Sequence, residues 1–230
     1  MKSDLLTLLQ INDSMFPIGS FTHSYGLEAY VYQQQVTSAK LAEAYTEKVL
    51  RHSLYYNDAA FVNRAWKICN GKSFRYQQLL ELDMLVTALK APSEIKQASH
   101  KLGLRFLKLV VELGAGAKVN RYAKSIEAGQ ATGHYAIAMG MYAQETGISK
   151  KDTLTAFYYN NLNAMVTNCV KLVPLSQTVG QKILFKMQPL IKELVGKQDK
   201  VNDDTFGLCC IGQEIKCMQH EKQYSRLYIS

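Results

Sequence analysis

Cys209, Cys210, Cys217 and His220 fall close together near the C-terminus. On a helix, Cys210 and Cys217 sit two turns apart and Cys217 and His220 share a face at i, i+3, a spacing that could hold a soft or borderline transition metal. Structural zinc sites use Cys-x2–4-Cys pairs, which this stretch lacks. Leu208, Ile211, Ile215 and Met218 are interleaved at helical spacing, so the segment reads first as a core-packing helix with cysteine as a small hydrophobe. Cys217 and His220 remain the metal-ligand candidates. Two other groupings carry less. Ser20, His23 and Ser24 lack the orienting carboxylate and oxyanion hole that a serine nucleophile needs, and Ser24 with Glu28 reads as a helix start. Gly114-Ala115-Gly116-Ala117-Lys118 lacks the Gly-x4-Gly-Lys-Ser/Thr spacing of a phosphate loop and follows a helix, so it reads as a helix end and turn.

Lys171 stands in the apolar run Asn168-Cys169-Val170-Lys171-Leu172-Val173-Pro174-Leu175. Its ammonium must either snorkel to water or find a partner, because an isolated buried charge costs on the order of several kcal/mol. Pro174 removes a backbone donor and should kink or end the helix there. Two readings follow: a charge presented at an interface, and a plain surface lysine beside a helix end. The last residues, His220 to Ser230, combine polar and aromatic types. Tyr224, Arg226 and Tyr228 are of the kinds enriched at binding hot spots, whereas chain ends fray unless tied down. A docking tail and an idle one both fit.

The elements that must position these residues are helices. Leu5, Leu8 and Leu9 line a short first helix; Leu79, Leu82, Val86 and Leu89 line another. Leu102, Phe106, Leu109, Val110 and Leu113 form a wider stripe opened by Pro92 and Glu94. Leu154, Tyr158, Leu162, Met165, Cys169 and Leu172 trace a long helix, followed by one on Val179, Ile183, Met187, Leu190 and Leu194. The alternation that marks strands is nearly absent. Breaks fall at Pro17-Ile18-Gly19-Ser20, Asn70-Gly71, Gly114-Ala115-Gly116 and Gly147-Ile148-Ser149. The expected fold is all-α: one compact helical bundle of about eight to ten helices spanning residues 1–230, with residues 220–230 as an arm. Residues 196–205 are the most polar stretch and the expected mobile loop.

With 230 residues, 47% apolar and 20% charged, the chain reads as an ordinary globular protein large enough to need no staples. No apolar run approaches the ~20 residues of a membrane span, and the N-terminus lacks a signal-peptide pattern, so a cytoplasmic protein is expected. Five cysteines without framework spacing suit a reducing compartment. The net charge of +8 is spread out. Its densest cluster, Lys101, Arg105 and Lys108, reads as a solvated helix face or a surface for an acidic partner, not a nucleic-acid module.

The segment Leu9 to Glu28, with Phe16-Pro17-Ile18-Gly19-Ser20-Phe21-Thr22-His23-Ser24-Tyr25-Gly26-Leu27-Glu28 inside it, resembles the N-terminal signature of the urease accessory protein F (UreF) family. Further blocks match in order: Ala91-Pro92 through Gly103-x-Arg105, His134 through Gly140 with Gly147-Ile148, Val170 through Gln177 with Gly180-Gln181, and His220-Glu221-x-x-Tyr224-Ser225-Arg226-Leu227-Tyr228-x-Ser230. From about Val31 to Leu89 only the helical pattern matches, and the cysteine-rich helix is not part of the signature.

The resemblance implies an all-helical, dimeric, non-enzymatic accessory protein. It implies binding to UreD (UreH in some species), recruitment of the GTPase UreG, and docking on apo-urease to promote nickel insertion. Nickel and GTP would then be handled by partners, with no cofactor held by this chain. By similarity, the tail with Tyr224, Ser225, Arg226 and Tyr228 would order on UreD/UreH. Pro17, Gly19 and Phe21, with Lys171, would lie at the dimer and GTPase-facing surface, and Tyr159 would make a dimer contact. The alternative from the residues themselves is a helical metal-binding protein using the C-terminal Cys/His cluster.

Overall fold

The computed structural model describes residues 5–19, 23–71 and 73–229. Its elements are α1 (Leu5–Ile11), α2 (Leu27–Tyr32), α3 (Ala39–Lys48), α4 (Asp58–Asn70), α5 (Tyr76–Leu89), α6 (Ser93–Glu112), α7 (Ala117–Glu127), α8 (Tyr135–Glu145), α9 (Lys150–Leu172), α10 (Gln177–Lys197) and α11 (Ile211–His220). A π-helical segment, Val49–Leu54, continues α3, and a 3-10 turn, Gln198–Lys200, follows α10. The described residues contain no strand, so the chain is all-α as its periodicity predicts, with one helix more than the upper expectation.

α8 is the axis of the bundle. Ala136 to Ala143 are all buried, so this helix has no solvent face and must be wrapped on every side. α4, α6, α7 and α9 provide the wrapping. Small residues let the backbones approach. A Cβ on Gly140 would lie 2.6 Å from the Val62 carbonyl of α4, and one on Gly103 of α6 would lie 1.9 Å from the Gly133 carbonyl. At both points the obstacle is backbone, so glycine is a steric requirement.

The loop before α8 is held by a buried carboxylate. Asp83 of α5 accepts from the Tyr122 hydroxyl at 2.5 Å and from the Thr132 and Gly133 N–H groups at 2.6 and 3.0 Å. Burial pushes the Tyr122 phenol well up, and the Asp83 charge beside it adds to the effect. Next to it, the His134 ring is bonded by Thr87 at 2.8 Å and Ser99 at 3.1 Å. His134 is fully buried, and burial pulls its pKa down to about 4 against the opposing pull of Asp83, leaving the ring neutral.

α9 and α10 form a hairpin. Ser149 caps α9 by accepting from the Asp152 N–H, and Ser176 caps α10 by accepting from Val179. α9 ends at Leu172, two residues before Pro174, which cannot continue a helix. The polar stretch 196–205 corrects the expectation of a mobile loop. α10 runs on through Lys197 and the 3-10 turn through Lys200. Gln198 is buried, accepting from the Tyr158 hydroxyl at 2.6 Å and donating to the Tyr55 carbonyl at 2.9 Å. Asp199 bridges Lys150 at 2.5 Å and Lys67 at 2.7 Å, and these cations hold its carboxyl well below the usual range. Arg64 pairs with Asp203 at 2.6 Å and stacks on Phe206. The charges that suggested a solvated loop are the fastenings of a strap across α4.

Candidate functional site

The C-terminal residues converge on two carboxylates from distant parts of the chain. Glu28 projects from the first turn of α2 and Glu94 from the first turn of α6. His220, at the end of α11 and fully buried, places Nε2 at 3.0 Å from Glu28 and Nδ1 at 2.7 Å from Glu94. The tail then turns back over the same pair. Arg226 donates to Glu94 at 2.5 Å, and the N–H groups of Leu227 and Tyr228 donate to Glu28 at 2.8 and 3.2 Å. The Glu94 N–H reaches Glu221 at 3.3 Å. Charge-assisted bonds of this kind contribute about 1.5–3 kcal/mol each when buried. The Arg226 side chain keeps 38% of its surface exposed, so its own share is nearer the surface value of about 0–1 kcal/mol.

The four tail residues singled out from the sequence therefore fall into three settings. Arg226 is bonded inward, Tyr228 is half-buried with its phenol pushed up by burial, and Tyr224 and Ser225 stand exposed. Glu28 and Glu94 were visible in the sequence only as a capping partner and a first-turn acid. Glu28 does not serve a capping serine, because α2 starts at Gly26 with a φ of +84° and no side-chain cap.

α11 carries the larger correction. Its expected core face, Leu208, Ile211, Ile215 and Met218, is exposed at 49%, 68%, 47% and 42%, respectively. The buried face is Gln213, Cys217 and His220. Both sets have helical spacing, so periodicity alone could not choose between them. The polar face wins because it is fully partnered: Gln213 donates to the Tyr25 carbonyl and the Tyr45 hydroxyl, and His220 meets both glutamates. Cys217 packs against Gly26, and burial pushes its thiol up to about 12. Among the described residues no group of three or more His, Cys, Asp and Glu side chains is placed to hold a metal, and a metal here would have to displace the Cys217 proton and a carboxylate contact of His220.

The remaining candidates lie elsewhere. In the turn after α1, Pro17 is exposed and Gly19 has a φ of +82°; Arg105 of α6 secures the turn by donating to the Ile18 carbonyl at 3.2 Å. Phe21 lies outside the described residues. Lys171 is exposed in the last turn of α9, where a cation complements the helix dipole. Exposure in the single chain fits both of its readings, the surface lysine and the charge presented at an interface. Tyr159, 44% exposed, borders an apolar groove with Leu8, Ala156, Gln188 and Ile191. Tyr159 and Lys171 share α9 but stand roughly 18 Å apart along its axis at 1.5 Å per residue, so they do not form one site.

A family model described as UreF matches residues 36–188. The chain belongs to the UreF family. Proteins named urease accessory protein UreF resemble it along nearly their full length. That of Haemophilus influenzae strain PittGG is 38% identical over 228 residues, 99% of this chain and 96% of the relative. That of Actinobacillus pleuropneumoniae serotype 5b is 36% identical over 223 residues, 97% of each. That of Bacillus sp. strain TB-90 is 31% identical over 226 residues, 98% and 99% of the two chains. The glutamate–histidine hub draws Glu28, His220 and Arg226 from outside the segment the UreF model matches, with only Glu94 inside it. The pairwise matches extend over nearly the whole chain.

Proposed function

We propose that this UreF-family chain is a non-enzymatic adaptor of urease maturation, working as a cytoplasmic homodimer. It bridges UreD (UreH in some species) to the GTPase UreG, docks on apo-urease, and modulates GTP-dependent nickel delivery while its partners handle nickel and GTP. The observation that supports the reading best is α11, which turns Ile211, Ile215 and Met218 to solvent and Gln213, Cys217 and His220 inward. Contiguous exposed apolar surface on a folded helix marks a contact face, because a monomer has no other use for it. The exposed Tyr224 and Leu227 extend apolar surface into the tail, and Tyr159 beside Leu8 and Ile191 offers a second face for self-association.

The test is co-purification with UreD/UreH. Ile211→Asp with Ile215→Asp alters only exposed side chains, so thermal stability should hold within a few degrees while the complex is lost. A double variant that folds and still binds at wild-type affinity would refute α11 as the contact face. In the assembled system, Lys171→Ala separates coupling from gating. Matched loss of UreG turnover and urease activation means that this chain drives hydrolysis. Retained turnover with failed activation means that it gates it.

A further inference from the structure

Asn70 is the one asparagine of the chain that is followed by glycine. It is the last residue of α4, and both Asn70 and Gly71 are exposed. Among the described residues its side-chain amide makes one contact, from Gln144 Nε2 to Oδ1 at 3.5 Å, the outer limit of a hydrogen bond. Gly71 leaves the helix in an extended conformation, with φ −62° and ψ 145°, and its N–H finds no acceptor among the described residues.

The other asparagines are held. The amide nitrogens of Asn12, Asn57, Asn120 and Asn161 donate to backbone carbonyls, that of Asn63 to Asp199, and that of Asn168 to the His23 carbonyl. Asn160 and Asn163 lie inside α9, where the N–H of the following residue is bound into the helix. Asn202 accepts from Thr205 through its side-chain oxygen.

We infer that Asn70 is a site of spontaneous deamidation, a covalent modification that the fold leaves open here and restrains at the other asparagines. Gly71 N loses its proton to a solvent base and attacks Asn70 Cγ. The new N–Cγ bond closes a succinimide ring as the Cγ–Nδ2 bond breaks and ammonia leaves. Water then opens the ring: cleavage of N–Cγ gives aspartate, and cleavage of the bond from that nitrogen to the Asn70 carbonyl carbon gives isoaspartate. Glycine favours the closure because no side chain crowds its nitrogen, and fraying of the helix end lets Asn70 turn towards it. Either product puts a carboxylate at the carbonyl end of α4, the end of a helix that disfavours negative charge. Isoaspartate also lengthens the backbone between α4 and α5 by a methylene.

The test incubates the full, folded chain in mildly alkaline buffer and follows its proteolytic peptides by mass spectrometry. The peptide holding Asn70 should convert to two acidic isomers ahead of every other asparagine, at a rate that climbs with pH because the attacking nitrogen must give up its proton. Gly71→Ala is the deciding variant. A Cβ there meets nothing closer than the Ile68 carbonyl at 3.5 Å, and the φ suits an L-residue, so the fold is kept. Conversion should slow by about tenfold or more as the methyl group crowds the attack. An Asn70 that stays intact in the folded chain, another asparagine that converts first, or a rate unmoved by Gly71→Ala would overturn the inference. The readout is covalent and uses no partner protein, so its outcome is separate from that of the adaptor reading.

Discussion

Two glutamates, Glu28 and Glu94, decide where the C-terminus lies, and their bonds are of unequal depth. Glu28 faces a fully buried imidazole and two backbone N–H groups, whereas Arg226 is more than a third exposed. Glu28→Ala should therefore cost about 3–5 kcal/mol, the penalty for breaking a buried pair, and Arg226→Ala about 0–1 kcal/mol. Chemical denaturation of the two variants checks the order, and equal losses would refute the hub geometry. A second residue-scale prediction concerns acid. His134 has a folded pKa lowered from 6.5 to about 4, so the folded state favours the neutral ring. The stability it contributes is present above pH 6.5 and is lost as pH falls towards 4, on the order of 3 kcal/mol for a fully buried ring. His23 shifts in the same direction and adds to the loss. Unfolding free energies measured from pH 7.5 to 4.5 should fall through this window. His134→Gln should flatten the fall, and an unchanged slope would count against a neutral buried ring.

At the scale of the element, backbone contact sets the tightest tolerances. Gly103→Ala drives a methyl against the Gly133 carbonyl and should cost more than about 3 kcal/mol, beyond ordinary overpacking, because neither backbone can yield. Gly196→Ala, in the exposed last turns of α10 with nothing within 4 Å, should instead stabilise by about 0.5–1 kcal/mol. Thermal melts of the pair would show shifts of opposite sign. Helix positions were largely legible in the sequence, since the stripes on α5, α9 and α10 are the ones buried. α11 was not. Its apolar stripe satisfied every local rule for a core face, and the deciding facts, Glu28 and Glu94, lie more than a hundred residues away. Residues 196–205 misled for a related reason. Lys67, Lys150 and Arg64 turn that stretch from a loop into a strap, and pairing between distant segments leaves no periodic trace.

Across the whole molecule, rigidity and adaptability are divided. α8 is sealed on every side, with Gly140 against α4 and Gly103 against the turn before it, so the centre can shift only as one body. Both ends of the chain expose apolar side chains, Leu5, Leu6 and Leu9 on α1, Ile211, Ile215 and Met218 on α11, and Leu227 and Ile229 in the tail, while Tyr32, Met84, Leu113 and Phe185 are exposed between them. The tail's seat has its own consequence. Anything that lifts Arg226, Leu227 and Tyr228 from Glu28 and Glu94 strands two negative charges around a buried ring. A newcomer to that seat must therefore bring a cation and free amide donors in the same order, and its arrival is an exchange of like for like rather than an addition.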